Sequence, residues 1–191
     1  MKHLLLSALL VGSVFTVQAA HADDFGLEVG FRQQSGTLDA TGVTAKSQSG
    51  YQLGVSGFFP FQGNLGLRSG FFYVNRPLAV DVDAGGGDAK ISLTYFEVPL
   101  ALAYKFEDYA SVFGGVALSI NLDKTYDGNG ILKGQKVDDV KSPVLPLILG
   151  ASFKFAPQMG TSVFFESFGG EAAKGLKDFK AVGANLVIYF E

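Results

Sequence analysis

Three features of the sequence predict an all-β fold, an eight-stranded antiparallel up-and-down barrel that spans a membrane. Eight segments alternate between large apolar residues and small or polar ones with a period of two, as strands do when their two faces meet different surroundings. The connections between the segments alternate between short and long. The composition, with 25 Gly, 18 Phe and only 17% charged residues, is typical of strands and turns.

The N-terminus has the pattern of a secretory signal peptide. An apolar stretch over residues 4–17 follows Lys2 and leads to small residues up to Ala22. We expect cleavage after Ala22, with cleavage after Ala20 as the less favoured alternative, so that the signal occupies residues 1–22 and the barrel domain residues 23–191. The apolar stretch is shorter than the about 20 residues that a membrane-spanning helix needs. The chain has no Cys, which excludes disulfides.

The first four predicted strands carry their charges on the face opposite the large apolar residues. Glu28 and Arg32 lie on this face of the first strand. Arg68 takes the same face of the third strand, and Glu97 and Lys105 that of the fourth. The apolar faces consist of Phe25, Leu27, Val29 and Phe31, then Tyr51, Leu53, Val55 and Phe59, then Leu65, Leu67, Phe71 and Tyr73, then Phe96, Val98, Leu100, Leu102, Tyr104 and Phe106.

The last four predicted strands follow the same rule with one departure. Lys154 lies opposite the apolar face of the sixth strand, and Glu166 opposite that of the seventh. Phe164 and Phe168 share the face of Glu166, so the inward side of the seventh strand is unusually aromatic. The apolar faces consist of Val112, Val116, Leu118 and Ile120, then Leu145, Leu147, Leu149, Ala151, Phe153 and Phe155, then Val163 and Phe165, then Val182, Ala184, Leu186, Ile188 and Phe190.

The connections predict how the barrel sits in its membrane. Bacterial outer-membrane barrels place short turns in the periplasm and long loops outside the cell. We therefore expect four long extracellular loops and both termini in the periplasm. The short connections are 59–64, 106–109 and 156–160, and the long ones are 34–49, 75–90, 121–142 and 169–179.

The small residues decide which face of the sheet is inside. An eight-stranded barrel has an interior just wide enough for side chains, so the face of Gly, Ala, Ser and a few charges fits there. The large apolar face then turns towards lipid. A soluble periplasmic ligand-binding barrel of the lipocalin type would need the opposite arrangement, and is the less favoured alternative.

Two segments resemble a known family. Tyr95–Phe106 runs through an aromatic residue, Glu, an aliphatic residue, Pro and Leu to a basic-aromatic ending before a tight turn, and the last strand ends on Phe190. With the strand count, this resembles the bacterial outer-membrane protein β-barrel domain family, the small OmpA- and OmpX-like barrels. The resemblance implies an integral protein of the Gram-negative outer membrane, made by the barrel-assembly machinery, with no cofactor and no shared activity. The apolar face of the last strand, Val182, Ala184, Leu186, Ile188 and Phe190, resembles the barrel-assembly signal of this family, although Glu191 displaces its terminal aromatic by one residue.

The inward charges are the candidate functional residues. They form either an ion path or gate, or a network of paired charges that fills a narrow lumen. We favour the network, because isolated buried charges are costly and eight strands leave no open channel. The residues are Glu28, Arg32, Arg68, Glu97, Lys105, Lys154 and Glu166.

Catalytic and metal sites are not expected. Both His residues, His3 and His21, lie in the predicted signal, and no pair of carboxylates has a catalytic spacing. The segment from Asp123 to Asn129 imitates the start of a calcium loop, but Gly134 stands where a bidentate Glu is needed. We therefore interpret it as a solvated loop.

The remaining predictions concern partners and function. The net charge of −3 argues against nucleic acid. Basic residues near the loop bases can meet phosphates of lipopolysaccharide, or simply form a soluble rim. We expect a structural or interactive role, such as envelope integrity, adhesion or surface recognition through the loops, with an unknown loop partner; the alternative is a narrow pore for ions or small solutes. The basic residues are Arg76, Lys90, Lys141, Lys174, Lys177 and Lys180.

Overall fold

The computed structural model describes residues 23–38, 42–82, 87–130, 133 and 139–190, so the predicted signal at 1–22 lies outside the described residues. The chain forms a closed barrel of eight antiparallel strands in sequence order, in which the first strand pairs with the last. This confirms the predicted fold class. Within the described part of the chain, no helix is long and apolar enough to cross a membrane. The strands are β1 (Asp23–Leu38), β2 (Val43–Gln62), β3 (Leu65–Val82), β4 (Gly87–Phe106), β5 (Ala110–Gly128), β6 (Leu147–Ala156), β7 (Met159–Ala173) and β8 (Leu176–Tyr189).

The outer surface carries a lipid-facing band of large apolar side chains. On β2 this band runs from Tyr51 to Phe61, both more than half exposed. Ten residues of strand span about 33 Å, which a tilt of about 40° reduces to about 25 Å, the height of the apolar band of an outer-membrane barrel. Phe31 and Leu147 are 66% and 63% exposed. Water-soluble proteins rarely expose large apolar side chains together in one continuous patch. The sheet therefore has the sense opposite to that of a soluble ligand-binding barrel.

The strands continue well above the band, at the upper end of the barrel, which we define as the end opposite the described termini. Three of the four predicted long loops are therefore wrong: segments 34–49, 75–90 and 169–179 consist mostly of strand. Only the connection from β5 to β6 is long. The connections at this end are residues 39–42, 83–86, 129–146 and 174–175.

The reason is that the alternation inverts above the band. There the outer face meets water and the inner face packs, so apolar residues point inward and polar ones outward. In β4, Ile91 and Leu93 are buried inside, whereas Lys90 is exposed. A prediction that depends on outward-facing apolar residues therefore assigns these segments to loops.

An apolar plug fills the inside of the upper end. Leu78 and Leu93, from adjacent strands, are both 0% exposed, and Phe179 of β8 is 1% exposed. Complete burial of such side chains stabilises by about 1.5–3 kcal/mol each, so the plug is a hydrophobic core in its own right. Its buried members are Leu78, Val80, Ala89, Ile91, Leu93, Tyr95, Val144, Ala172, Ala173, Leu176 and Phe179.

Segment 139–146 closes the barrel wall where β6 is too short to do so. β6 has only ten residues and pairs with β5 up to Val116, although β5 continues to Gly128. The segment occupies the gap above β6 and contributes Val144 to the plug. Its hydrogen bonds run from Lys141 N to Ala172 O (2.8 Å), Asn121 N to Ser142 Oγ (3.0 Å), Val144 N to Ser119 O and Ser119 N to Val144 O (2.9 Å each), and Ala117 N to Pro146 O (2.9 Å).

Inward aromatic rings lie on glycines of the neighbouring strand in the lower half. Phe72 of β3 pairs with Gly54 of β2, and a Cβ on Gly54 would come within 2.4 Å of that ring. The absence of a side chain on the glycine makes room for the ring, so the interior is filled by aromatics as well as charges. The same arrangement joins Phe113 to Gly150 and Phe164 to Gly183.

Candidate functional site

Glu28 is the centre of the lower ion cluster inside the barrel. Its side chain is 0% exposed and forms an ion pair with Arg68 of β3. Asn185 Nδ2 donates to Glu28 Oε2 at 2.8 Å, Ser162 Oγ donates to the same oxygen at 3.1 Å, and Ser56 Oγ donates to Oε1. The carboxylate thus has one charged and three neutral donors. Such a buried charge is fully satisfied.

Arg68 is held from two further sides. Its Nη1 donates to Ser152 Oγ at 2.9 Å, and its guanidinium lies 4.4 Å from the centre of the Phe113 ring. With 15% of its side chain exposed, it is the least enclosed member of this cluster. Arg68 therefore has contact with solvent that Glu28 lacks.

The upper ion cluster lies under the apolar plug and contains two carboxylates and two guanidinium groups. Arg32 Nη2 and Arg76 Nη2 lie 2.8 and 2.9 Å from Glu166 Oε1, and Arg76 also pairs with Glu97. The four side chains are at most 7% exposed. Two positive and two negative charges balance, which is the condition under which charges can be buried in a narrow lumen.

Neutral side chains connect the two clusters. Arg32 Nη1 donates to Gln52 Oε1 at 3.3 Å, and Gln52 Nε2 donates to Asn185 Oδ1 at 2.9 Å. Because Asn185 also donates to Glu28, one continuous chain of hydrogen bonds runs along the lumen. A cavity of about 50 Å³ lies between the clusters, room for no more than a few water molecules.

A third group of charges lies at the lower end, where the barrel opens. Lys105 and Lys154 both pair with Asp24, the latter at 3.3 Å. Each ammonium also lies on an aromatic ring, Lys105 at 4.4 Å from the centre of Phe58 and Lys154 at 4.8 Å from that of Tyr189. These side chains are about a fifth to a quarter exposed, so this group has access to water.

The seven residues predicted from the sequence all lie inside the barrel, but not in one cluster. Glu28 and Arg68 form the lower cluster, whereas Glu97 and Glu166 share Arg76 in the upper one.

Arg76 is the important residue that the sequence reasoning misplaced. It was expected at a loop base near lipopolysaccharide, but it is 2% exposed and paired with two carboxylates. Its guanidinium lies 4.9 Å from the centre of the Tyr95 ring, so the plug rests directly on the upper cluster. The signal was its parity: Arg76 is an even number of residues from Arg68 and Phe72 in the same strand. Gln52 and Asn185 could have been found in the same way.

The calcium-like segment is not a loop. Asp123, Thr125, Asp127 and Gly128 belong to the upper part of β5, where Asp123 pairs with Thr94 and the following residues continue the ladder. The interpretation as a solvated loop is therefore wrong up to Gly128. Within the described ranges no group of His, Cys, Asp or Glu is arranged to hold a metal ion.

Glu171 secures the wall segment at the rim, above the lipid-facing band. Gly175 N donates to Glu171 Oε1 at 2.8 Å, and Lys141 Nζ lies 3.1 Å from Oε2. The hydrogen bond from the Gly175 backbone, followed by that from Lys141, lowers the pKa of Glu171 below its ordinary value. Lys141 therefore binds the rim at two places, since its own backbone N–H donates to Ala172.

The C-terminal strand places its predicted assembly residues on the lipid side. Val182, Leu186, Ile188 and Phe190 are exposed on the outer face of β8. The Phe190 backbone N–H donates to Phe25 O at 2.8 Å, and the two rings lie 5.8 Å apart. Phe190 thus continues the pairing of the last strand with the first; Ala184 lies on the same outward face.

Comparison with known proteins places the chain among outer-membrane barrels. The family model described as the outer membrane protein beta-barrel domain matches residues 18–178. Ail of Yersinia pestis, solved with the heparin analogue sucrose octasulfate, has 11% identity and a TM-score of 0.51 over 89% of this chain and 99% of Ail. Neisserial surface protein A has 13% identity and a TM-score of 0.51 over 88% of this chain and 99% of its own. These likenesses show the eight-stranded fold. No curated protein matches the sequence.

Proposed function

Since the chain belongs to the outer membrane protein β-barrel domain family and is located in the Gram-negative outer membrane, we propose that its role is structural or interactive. It supports the envelope or recognises a surface partner through the strand-built rim above the membrane. The observation that carries this proposal is the apolar plug, which lies on top of a charge-balanced ion cluster.

The plug argues against transport along the barrel axis. Leu78, Leu93 and Phe179 fill the upper end with groups that cannot solvate an ion, and Tyr95 lies between them and Arg76. Opening a path would require the plug to separate and the ion pairs below it to break. Both losses oppose conduction in the resting barrel.

The rim supports an interactive role. Strands reach about twenty residues in length, so about half of β2 and β4 rises above the lipid-facing band. The rim carries outward charges of both signs, among them Lys46 of β2, which pairs with Asp81 of β3, and the exposed Asp88 and Lys90 of β4. A rigid, mixed-charge wall of this kind offers a surface for a partner of either sign. Lipopolysaccharide and the barrel-assembly machinery are further proposed partners.

A narrow pore is the second candidate, favoured by one observation. Arg76 contacts both Glu97 and Glu166, and a cavity of about 50 Å³ lies beside these carboxylates. Release of Arg76 from one of these two carboxylates would change the internal path. An enzymatic role is not proposed, because the carboxylates in the lumen are occupied by arginines and no His accompanies them in the described residues.

Planar-bilayer recording tests the proposal against this alternative. We expect the folded wild-type barrel to produce no stable unitary conductance above that of a detergent blank. A Leu93→Ala and Phe179→Ala double variant, which thins the plug, serves as the comparison and should conduct more than the wild type. Steady unitary steps from the wild-type barrel would replace the proposed role with that of a pore.

The interactive part needs its own experiment. Barrels in lipid nanodiscs are presented to envelope components and to host-cell surfaces, and retained molecules are compared with those on a variant whose exposed rim lysine Lys46 is changed to Glu. Selective retention that the rim variant loses supports recognition. Equal retention by both barrels would leave only the envelope role.

A further inference from the structure

A groove opens on the outer wall of the barrel, where β1, β8 and β7 lie side by side. Its volume is about 320 Å³, which is within the range of small-ligand sites. It differs from the luminal cavity because it faces the surroundings of the barrel. Polar side chains line most of it: Ser35, Thr37, Ser167, Asp178 and Lys180.

The strand register fixes the height of this groove. Lys180 lies between Ser35 on β1 and Ser167 on β7, in one row across three strands. The next row down contains Val182 and Phe165, which are 55% and 43% exposed members of the lipid-facing band. Two residues of strand correspond to about 7 Å. The groove therefore lies at the level of the lipid headgroups, and in the orientation that the sequence predicts, with both termini in the periplasm, these belong to the outer leaflet.

The groove is built into the backbone. The pairing of β1 with β8 shifts between Ser35 and Thr37, and that of β7 with β8 shifts between Phe168 and Glu171. Such irregularities bend strands and re-aim side chains. Gly169 lies within the second of these shifts. A Cβ on Gly169 would meet no atom within 4 Å, so this part of the groove floor is open. The groove is thus preformed.

The chemistry of the lining suits a phosphorylated sugar. Lys180 is exposed, its strand position lies between those of Ser35 and Ser167, and no ion pair of Lys180 occurs among the residues that the structure describes. Ser35 Oγ donates to Lys180 O at 3.3 Å, which leaves its oxygen available as an acceptor. The ammonium suits a phosphate group. The carboxylate of Asp178 repels a bare anion but accepts hydrogen bonds from sugar hydroxyls.

We propose that this groove binds the phosphorylated sugar headgroup of an outer-leaflet glycolipid, the lipid A part of lipopolysaccharide. The acyl chains of the same lipid then lie against Val182 and Phe165 directly below. This proposal rests on the proposed function only in that the barrel sits in the outer membrane. Its site is external, so it holds whether or not the lumen conducts.

The test uses the full folded barrel in nanodiscs of phosphatidylcholine that contain either lipid A or phosphatidylglycerol as the anionic lipid. Native mass spectrometry counts the lipids that remain on the released barrel. We expect lipid A to be retained over phosphatidylglycerol. Lys180→Gln should weaken lipid A retention about fivefold, the effect of losing one basic residue near a charged membrane surface.

Two further variants separate the sugar from the charge. Asp178→Asn should reduce the preference for lipid A over phosphatidylglycerol, because it relieves repulsion of a simple anion. Lys90→Gln is the matched control, since Lys90 is an exposed lysine on β4, on the opposite wall. Heat-modifiable migration on gels verifies that each variant is folded.

Two results would overturn the inference, and a third would separate it from the proposed function. Equal retention of both lipids would indicate unspecific charge attraction. An equal loss from Lys180→Gln and Lys90→Gln would show that the groove is not the site. Wild-type conductance with intact lipid A selectivity would refute the proposed function and leave this inference standing.

Discussion

Replacing Glu166 by Gln should destabilise the barrel more than any other single change in the lumen. Glu166 is 2% exposed and balances both Arg32 and Arg76. In the variant, Arg76 keeps Glu97, but Arg32 keeps only the neutral oxygen of Gln52 at 3.3 Å and the Phe164 ring at 5.6 Å. One positive charge is then left uncompensated in an enclosed space that has room for only a few water molecules.

The magnitude follows from that arrangement. Breaking a buried ion pair by removing one partner costs about 3–5 kcal/mol. With an m-value of about 2 kcal/mol per molar urea, the unfolding midpoint should fall by about 1.5–2.5 M. Arg68→Ala should lower the midpoint less, because Glu28 retains three neutral donors.

The assay is equilibrium urea unfolding of the barrel in lipid vesicles. The folded fraction is measured by heat-modifiable migration on gels. Lys133→Ala, at an exposed position, is the control and should leave the midpoint unchanged. The double variant Arg32→Gln with Glu166→Gln should recover much of the loss, because the remaining pair of Arg76 and Glu97 is neutral. A double variant no more stable than Glu166→Gln alone would refute the reasoning from charge balance.

Three further predictions concern packing, orientation and pH. Gly54→Ala should destabilise by about 1–3 kcal/mol, because its Cβ would meet Phe71 O at 2.3 Å, whereas Gly169→Ala meets no atom within 4 Å and should be neutral in the same urea assay. A Cys at position 133, in the exposed connection from β5 to β6, should react with an impermeant thiol reagent on intact cells and one at Gln62 should not; the reverse would invert the orientation. The pKa of Glu171 is lowered in the folded barrel, so its contact with Lys141 stabilises the rim fully at pH values above the unfolded pKa near 4.5. This stabilisation is lost as the pH falls through the lower pKa of the folded state. The protection factor of the Lys141 amide, which is its hydrogen-exchange rate corrected for the intrinsic slowing of exchange at lower pH, should fall on acidification. Glu171→Gln is the control, and its protection factor should show no such acid dependence.

The sequence was sufficient to predict the barrel where one physical rule holds. Within the lipid-facing band, large residues face lipid and small or charged ones face the lumen, so parity alone placed Glu28, Arg32 and Glu166 inside. Above the band the rule reverses, because the outward residues there are polar. The rule for the lipid-facing band therefore predicts loops in these segments, although they form strands. Arg76 shows the consequence, because it lies just past the band and was placed outside with the loop residues.

Pairing between strands was beyond sequence reasoning. Which inward charges meet depends on the stagger between strands, and the hydrophobic pattern fixes the face but not this stagger. Glu97 and Glu166 lie on β4 and β7, and Arg76 joins them across the lumen. The role of segment 139–146 was likewise hidden, since its closure of the wall depends on the short length of β6.

The account depends most on the claim that the plug and the wall segment exclude water from the upper end of the lumen. Ser119 tests it directly: the side chain is 0% exposed and its backbone pairs with Val144 of the plug. The chain has no native Cys, so Ser119→Cys introduces a single thiol. Reaction with a small water-soluble thiol reagent is followed by intact mass, with the barrel folded in lipid, and a Cys at position 169 is the positive control. We expect the control to react and Ser119→Cys to react only after unfolding. Rapid reaction of the folded Ser119→Cys barrel would contradict a lumen that is sealed at its upper end.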